Sequence, residues 1–514
     1  MLKNYSLYFK MATFYVICGF VLGAQVVESD ALKVAKNIYF ERSNSNIEMF
    51  SVKELEVISE KGEDLIYIFH LNPTGFIMVP ADNQAVPDLA FGFEHSFLYN
   101  NMPLNLASLM KKYKEDILEN IEKPQDARPD IVALWDYYLG DDIQKRNQGR
   151  DVSPLLDAEF DQGGSWNNGI QAAIGFNGPV GCVAVSMAQV MHYWGYPENG
   201  IGSNYYTEDN YGYIEVDFEE AFYDFDNMAA TYATSASQLL LFHAGVSVNM
   251  DYDWSGSGAY VVGGYPSAFY AMENFFAYNS DISYYWKDNY TTNEYRDIIK
   301  NELDNNRPII SQGYDNGGYG GHAWNIDGYS GNNLHCNWGW GGSSNGYFNL
   351  TSMGGFPNDQ AVIVKILPQM DLPVALFEYE INDLTVTFID LSEVINESIL
   401  DVWLWDFGDG VTSSDISPTH TYLAGGNYEV KLIVTDYYGQ ESEAHVENIE
   451  LLSAMSGDIN LDSLLNILDV VLLANFVLGS DMPSASEYTA ADLNNDGMLN
   501  ILDIVNLSNL ILGT

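Results

Sequence analysis

Hydrophobic and polar positions divide the 514-residue chain into segments of different periodicity. At the N-terminus (MLKNYSLYFKMATFYVICGFVLGA) a basic start precedes a short apolar core, so residues 1–24 are expected to be a secretory signal peptide. Strand-like runs follow within 25–150, IEMFSVKELEVISE and then LIYIFHLNPTGFIMVPADNQAVPDLAFGF, predicting an α+β segment. After Gly181-Cys182 the run VAVSMAQVMHYW has the length and composition of a buried helix, and LLLFHAGVSV is a second apolar helical pattern. Gly320-Gly321-His322 then opens a strand that alternates Ala, Trp, Asn, Ile, Asp. Beyond Leu367-Pro368 come the short alternating strands ALFEYEI, LTVTFIDL and NYEVKLIVTDYYG. The last 59 residues hold two apolar helices, ILDVVLLANFVLG and ILDIVNLSNLILG, each entered from an acidic loop. No segment after the leader is apolar enough to cross a bilayer.

Charge sharpens this division. Residues 1–150 carry 15 Lys and Arg against 21 Asp and Glu, a net −6, whereas 151–514 carry 6 against 50, a net −44. Such a surface argues against nucleic acid and for solubility, salt tolerance or cationic partners. The basic-containing early segment is expected to dock favourably on the acidic one, and the polar run Lys145-Arg146-Asn147-Gln148-Gly149-Arg150 is a candidate processing site. Of three cysteines, Cys18 lies in the leader. A bond between the other two would abolish thiol chemistry, so Cys336 is read as a buried free thiol.

A cysteine at the start of an apolar helix is by itself an unremarkable small hydrophobe. Here the helix dipole and the free N–H groups of its first turn favour a thiolate at Cys182. His192 lies ten residues along the same helix, about 15 Å away in rise, and cannot be its base. His243 sits in an apolar helical pattern and reads as core; the direction of His335, between Leu334 and Cys336, stays open. His322 follows glycines that allow close approach. Cysteine, histidine and then Asn337, in Asn337-Trp338-Gly339-Trp340-Gly341-Gly342, is the order of a papain-like thiol protease.

The run Gly-Cys-Val-Ala with Met-Ala-Gln-Val-Met-His-Tyr-Trp-Gly-Tyr-Pro, the Gly-Gly-His-Ala-Trp-Asn-Ile-Asp-Gly box and Asn-Trp-Gly-Trp-Gly-Gly together resemble the streptopain family of secreted bacterial cysteine proteases, over residues from about 30 to 368. The resemblance implies an α+β papain-like domain (151–368) behind an α+β pro-segment (25–150) that folds over the enzyme and disorders its active site. It makes Cys182 the nucleophile, His322 the general base and Asn337 the orienting residue, with Trp338 shielding that pair from water. Gln162 resembles the family's oxyanion donor, and Gln312 is the rival. Ser257, in the loop Asn249–Gly258, and Gly321 would hold the substrate backbone. No cofactor is implied for catalysis. The expected function is a secreted, extracellular or cell-surface cysteine endopeptidase made as a zymogen and acting on protein or peptide substrates, with its own pro-segment as inhibitor. A papain-like acyltransferase and a non-catalytic adhesin are the alternatives.

Trp405-Asp406-Phe407-Gly408-Asp409-Gly410 with Pro418-Thr419-His420-Thr421-Tyr422 is similar to the polycystic-kidney-disease-type (PKD) domain, implying an immunoglobulin-like all-β sandwich over 370–453. In 456–514, oxygen side chains recur at loop positions one, three, five, nine and twelve: Asp458, Asn460, Asp462, Asn466, Asp469, and again Asp492, Asn494, Asp496, Asn500, Asp503. That is the donor spacing of a calcium loop. The repeat looks like a type I dockerin, a small all-α module, and implies two Ca²⁺ sites and a cohesin-like or cell-surface partner. It differs from cellulosomal dockerins at Ile467-Leu468 and Ile501-Leu502, where polar recognition residues are usual.

Overall fold

The computed structural model describes residues 24–43, 46–102, 104–141, 151–314, 321–349, 358–369, 371–394, 399–451 and 455–513. The leader with Cys18, the basic run at 145–150 and Gly320 lie outside these residues. The chain divides into two compact units, residues 1–369 and 370–514.

The first unit begins with α1 (Glu28–Arg42), β1 (Val52–Glu60), β2 (Glu63–Leu71), β3 (Phe76–Pro80), β4 (Ala90–Gly92), α2 (Leu104–Glu122) and α3 (Pro129–Tyr138). It continues with α4 (Asn168–Ile174), α5 (Cys182–Trp194), the hairpin β5 (Ser203–Glu208) and β6 (Gly212–Asp217), α6 (Ser235–Ser247), α7 (Ala268–Asn274), β7 (Ser283–Trp286) and α8 (Thr292–Asp304). Five strands close it: β8 (Ile309–Tyr314), β9 (Gly321–Ser330), β10 (Asn333–Asn337), β11 (Gly346–Asn349) and β12 (Asn358–Val364). Ten of these strands form one sheet in the order β1-β2-β3-β4-β11-β10-β9-β8-β12-β7.

The early segment thus adds its four strands to the edge of the later six. The joint is antiparallel β4–β11, with Ala90 opposite Phe348 and Phe91 opposite Tyr347. Residues of β2 and β3 are buried on both faces, which is why LIYIF reads as a continuous apolar run rather than an alternating one. Tyr67, Phe69, Ile77 and Val79 pack against α1 and α3, while Ile66, Ile68 and Met78 share a core with Leu109 and Ile117 of α2 and with Trp324, Leu334, Trp338 and Phe348. Tyr113 of α2 donates its hydroxyl to the carbonyls of Leu89 and Asn349, at 3.0 and 2.8 Å. Main-chain pairing and a shared apolar core join the two parts, and His95 meets Glu159 across the joint at 3.1 Å. On the other face of β8, β9 and β12, Ile310, Ala323 and Ile363 pack under α5, α6 and their neighbours.

The second unit starts with two sheets. They contain β13 (Phe377–Asn382), β14 (Thr385–Asp390), β15 (Leu400–Asp406), β16 (Thr412–Ser413), β17 (Thr419–Thr421), β18 (Gly426–Asp436) and β19 (His445–Leu451), ordered β13-β14-β17 and β16-β15-β18-β19. Phe377, Phe388, Trp405, Phe407 and Tyr422 fill the space between them with Val430, Leu432 and Val434. Helices α9 (Ile467–Val477), α10 (Ala485–Ala491) and α11 (Ile501–Leu512) follow, around Ile459, Leu473, Phe476, Ala490 and Leu507. The seven-residue α10 carries no long apolar stripe, and the sequence pattern does not single it out.

Candidate active site

Cys182 is the first residue of α5, and Gly181 before it holds φ +104°. A side chain at 181 would be strained there, and its Cβ would lie 2.7 Å from the Met250 sulfur. Glycine therefore lets the chain turn into the helix under Met250. The backbone N–H of Ala323 points at the Cys182 sulfur, 3.4 Å away, so the start of β9 with His322 lies against the start of α5. Burial pushes the thiol's pKa up, and the N–H groups of Ala323, Val183 and Cys182 pull it back down.

Deeper between the same two elements lies a chain of side-chain amides. Asn325 donates to Gln189 Oε1 (2.9 Å) and to the Ser186 carbonyl (3.2 Å). Gln189 donates to Asn337 Oδ1 (3.1 Å) and to the Ala158 carbonyl (2.9 Å). Asn337 donates to that same carbonyl at 2.9 Å, and its Oδ1 also accepts from Gly339 N. All three amides are essentially inaccessible to water, so these bonds are strong where they are made and costly where they are lost.

Gln162 is buried, and its main-chain carbonyl accepts from Val180 N at 2.8 Å, which runs this residue alongside the approach to Cys182. Gln312 has both ends of its amide engaged: Oε1 accepts from Val262 N (3.1 Å) and Nε2 donates to the Asp359 carbonyl (2.9 Å). Ser257 donates to the Pro179 carbonyl at 2.6 Å and so fastens its loop beside Gly181. Gly321 stands opposite Tyr314 and is exposed, and a Cβ there would run into the Tyr314 ring at 2.4 Å. Trp338 is wholly buried, with its indole N–H on the Ser344 carbonyl (3.1 Å) and its ring 5.9 Å from Trp324 and 5.2 Å from Phe348. The other histidines have structural partners: His192 the Met228 carbonyl, His243 the Tyr223 hydroxyl, His335 the Asp327 carboxylate at 2.6 Å. Cys182 and Cys336 are both free thiols, and Cys336 is buried.

The two C-terminal loops repeat one hydrogen-bond pattern. Asp458 accepts from the N–H of Asp462 and Ser463, Asn460 from Asp462, Asp462 from Leu464, and Asp469 from Ile459, Asn460 and Asn466. In the second loop Asp492 accepts from Asp496 and Gly497, Asn494 from Asp496, Asp496 from Met498, and Asp503 from Leu493, Asn494 and Asn500. Asn466 and Asn500 cap α9 and α11. Among the described residues no three acidic, histidine or cysteine groups already converge as a metal cage. The donor set still fits a hard cation: every candidate ligand is oxygen, Asp469 and Asp503 are fully buried anions, and 456–514 contains no Lys, Arg or His to neutralise them.

A family model described as the peptidase C10 family matches residues 160–348. Streptopain of Streptococcus pyogenes serotype M28 (strain MGAS6180) is 30% identical over 342 residues, covering 59% of this chain and 81% of streptopain. The chain belongs to the peptidase C10 family. It is a C10 cysteine protease with a prodomain: residues 23–117 match the Spi protease inhibitor model, 382–451 the PKD domain and 456–512 the dockerin type I domain, a calcium-binding module. The thiol protease/hemagglutinin PrtT of Porphyromonas gingivalis is 26% identical over 425 residues, 73% of this C10 chain and 45% of its own length. A prointerpain A fragment of Prevotella intermedia aligns with TM-score 0.49 and 25% identity, covering 62% of this chain and 99% of the fragment.

Sequence reasoning about this C10 protease missed Gln189 and Asn325. A signal was there: each is a strongly polar residue at a position that its neighbours' pattern makes interior, in SMAQVM and AWNI. A buried amide of that kind has a partner.

Proposed function

We propose that Cys182 and His322 are the reacting pair of a secreted endopeptidase. The observation that supports this is the contact of Ala323 N, next in sequence to His322, with the Cys182 sulfur. The thiolate attacks the substrate carbonyl, and Gln162 with a backbone N–H at the start of α5 stabilises the oxyanion. The engagement of both ends of Gln312 supports Gln162 as that donor. His322 protonates the leaving amine, and the acyl-enzyme is then hydrolysed by a water that His322 activates. Asn337 and Trp338 act as positioning residues for β9, Asn337 through Gln189 and Trp338 through its packing on Trp324. Ser257 and Gly321 flank the bound substrate backbone. Cys182→Ala should remove peptide hydrolysis and leave the fold intact; hydrolysis by that variant would reject the assignment.

The prodomain keeps the precursor latent, and cleavage somewhere between about residues 125 and 160 frees the enzyme from it. Secretion is supported by the leader, by the streptopain likeness and by the dockerin match. In the dockerin, Asp458, Asn460, Asp462, Asn466 and Asp469 would hold one Ca²⁺, and Asp492, Asn494, Asp496, Asn500 and Asp503 a second, each with a main-chain carbonyl at position seven. The ions supply charge neutralisation and loop order, not catalysis. A cohesin-like or cell-surface partner would dock on this module.

A further inference from the structure

From Asp151 to Trp286 the chain has 17 Asp and Glu and not one Lys or Arg. This stretch includes α5 and the loop that flanks Gly181. Of the five cations of 287–369, Arg307 is buried against Glu302 (2.7 and 2.9 Å), Arg296 and Lys300 line a cavity of about 730 Å³ that they share with Arg42 and Arg128 of the prodomain, and Lys287 and Lys365 follow β7 and β12. The segment that carries Cys182 is therefore strongly acidic in sequence.

One loop gives that field a definite contact point. Main-chain bonds between Asp251 and Gly258 close it (2.9 and 3.0 Å), and Ser257 fastens it to Pro179, two residues before Gly181. Its tip presents Asp253 and Trp254, both exposed, with Trp254 66% accessible. Ser255 donates its N–H and hydroxyl to the Asp253 carboxylate and holds its pKa below the usual range, so the group stays anionic. The indole stands edge-on to Phe176 at 5.5 Å, which steadies the ring and leaves an accessible face. A carboxylate next to an open indole face suits an ammonium or a guanidinium, through charge and through the ring quadrupole together.

We infer that Asp253 and Trp254 select polypeptide substrates that carry Lys or Arg close to the scissile bond. This rests on the Cys182 protease reading. The basic run 145–150, the candidate processing site, has the same character. It is tested with the matured enzyme from the full chain and peptides that differ only by Lys, Leu or Glu at each flanking position in turn. At some position kcat/KM should rank Lys above Leu above Glu, with Lys over Glu by about 5- to 10-fold at low salt and a shrinking gap as salt screens the charge. Asp253→Asn and Trp254→Ala should each erase most of that gap while cleavage of the Leu peptide stays unchanged. Equal rates, a Glu preference, a gap that survives both substitutions, or a salt response common to all peptides, as surface salt adaptation alone would give, overturns the inference. Failure of the matured enzyme to cleave any of the peptides, or cleavage by Cys182→Ala, strikes the protease reading instead.

Discussion

Asn325 donates its side-chain amide to Gln189 Oε1 at 2.9 Å, three residues after His322 and seven after Cys182. This bond ties the strand of one candidate reacting group to the helix of the other, in a place that water does not enter. Gln189→Leu removes one acceptor and two donations. It should cost about 2 kcal/mol of stability and lower kcat by about 10- to 100-fold through misplacement of the pair, with KM little changed. Gln189→Glu keeps the acceptor for Asn325 but turns an oxygen toward the Ala158 carbonyl and Asn337 Oδ1, and should be no milder. Steady-state kinetics beside thermal unfolding would check this; kcat unchanged in a destabilised Gln189→Leu would leave Gln189 a purely structural residue.

The buried thiol makes a statement about pH. Burial raises the Cys182 pKa, with only partial relief from backbone donors. Alkylation of the precursor by iodoacetamide should be slow at pH 7 and quicken as pH rises beyond the ordinary thiol range. Maturation that opens this end of α5 to water should shift that profile to lower pH, because it relieves the burial that raises the thiol's pKa. Identical profiles before and after maturation would contradict that opening.

His243 is buried against Tyr223, and burial lowers its pKa from 6.5 to about 4. Between those values the unfolded chain takes up a proton that the folded chain does not. The neutral histidine's contribution is thus fully present above pH 6.5 and is lost as pH falls toward 4, by about 3 kcal/mol in all. His243→Gln should flatten this acid limb in urea titrations run at successive pH values. A limb of the same depth in the variant would assign it to the carboxylates.

The joint between prodomain and enzyme is a strand pairing with an apolar core beneath it. Tyr113→Phe deletes both hydroxyl bonds, to Leu89 and Asn349, and should weaken binding of the separated prodomain to the mature enzyme by about 10-fold. Raising salt should weaken it less than this single oxygen does. Inhibition titrations would show the order, and a salt effect exceeding that of Tyr113→Phe would return the joint to electrostatics.

Calcium should bind residues 370–514 at two unequal sites. In the second loop the left-handed positions are Asn495 and Gly497, types that tolerate that conformation, whereas the first loop places Leu461 (φ +55°) and Ser463 (φ +65°) there. Calorimetry should resolve a tighter site, lost in Asp503→Ala, and a weaker one, lost in Asp469→Ala and strengthened by Ser463→Gly. Binding should add helical signal, while peptidase activity barely responds. One class of equal sites would refute the strain argument.

What the sequence determined by itself is local. A glycine before a cysteine and an apolar run specify a thiol at a helix start, because helix entry and burial depend on neighbouring residues. The Asp and Asn spacing of the terminal repeat specifies two loops of one geometry, since each side chain bonds a backbone N–H only a few positions away. The alternation after Pro368 specifies strands with one face inward. Only the tertiary structure decided that β4 pairs with β11, that Gln189 meets Asn325 and Asn337, and that Gln312 spends its amide on Val262 and Asp359. Any of several strands could satisfy the edge of β4, and a buried amide announces only that it needs a partner. Which partner arrives is settled by how the whole sheet closes over α5, across separations from 47 residues for Gln312 to 148 for Gln189 that leave no periodic trace in the chain.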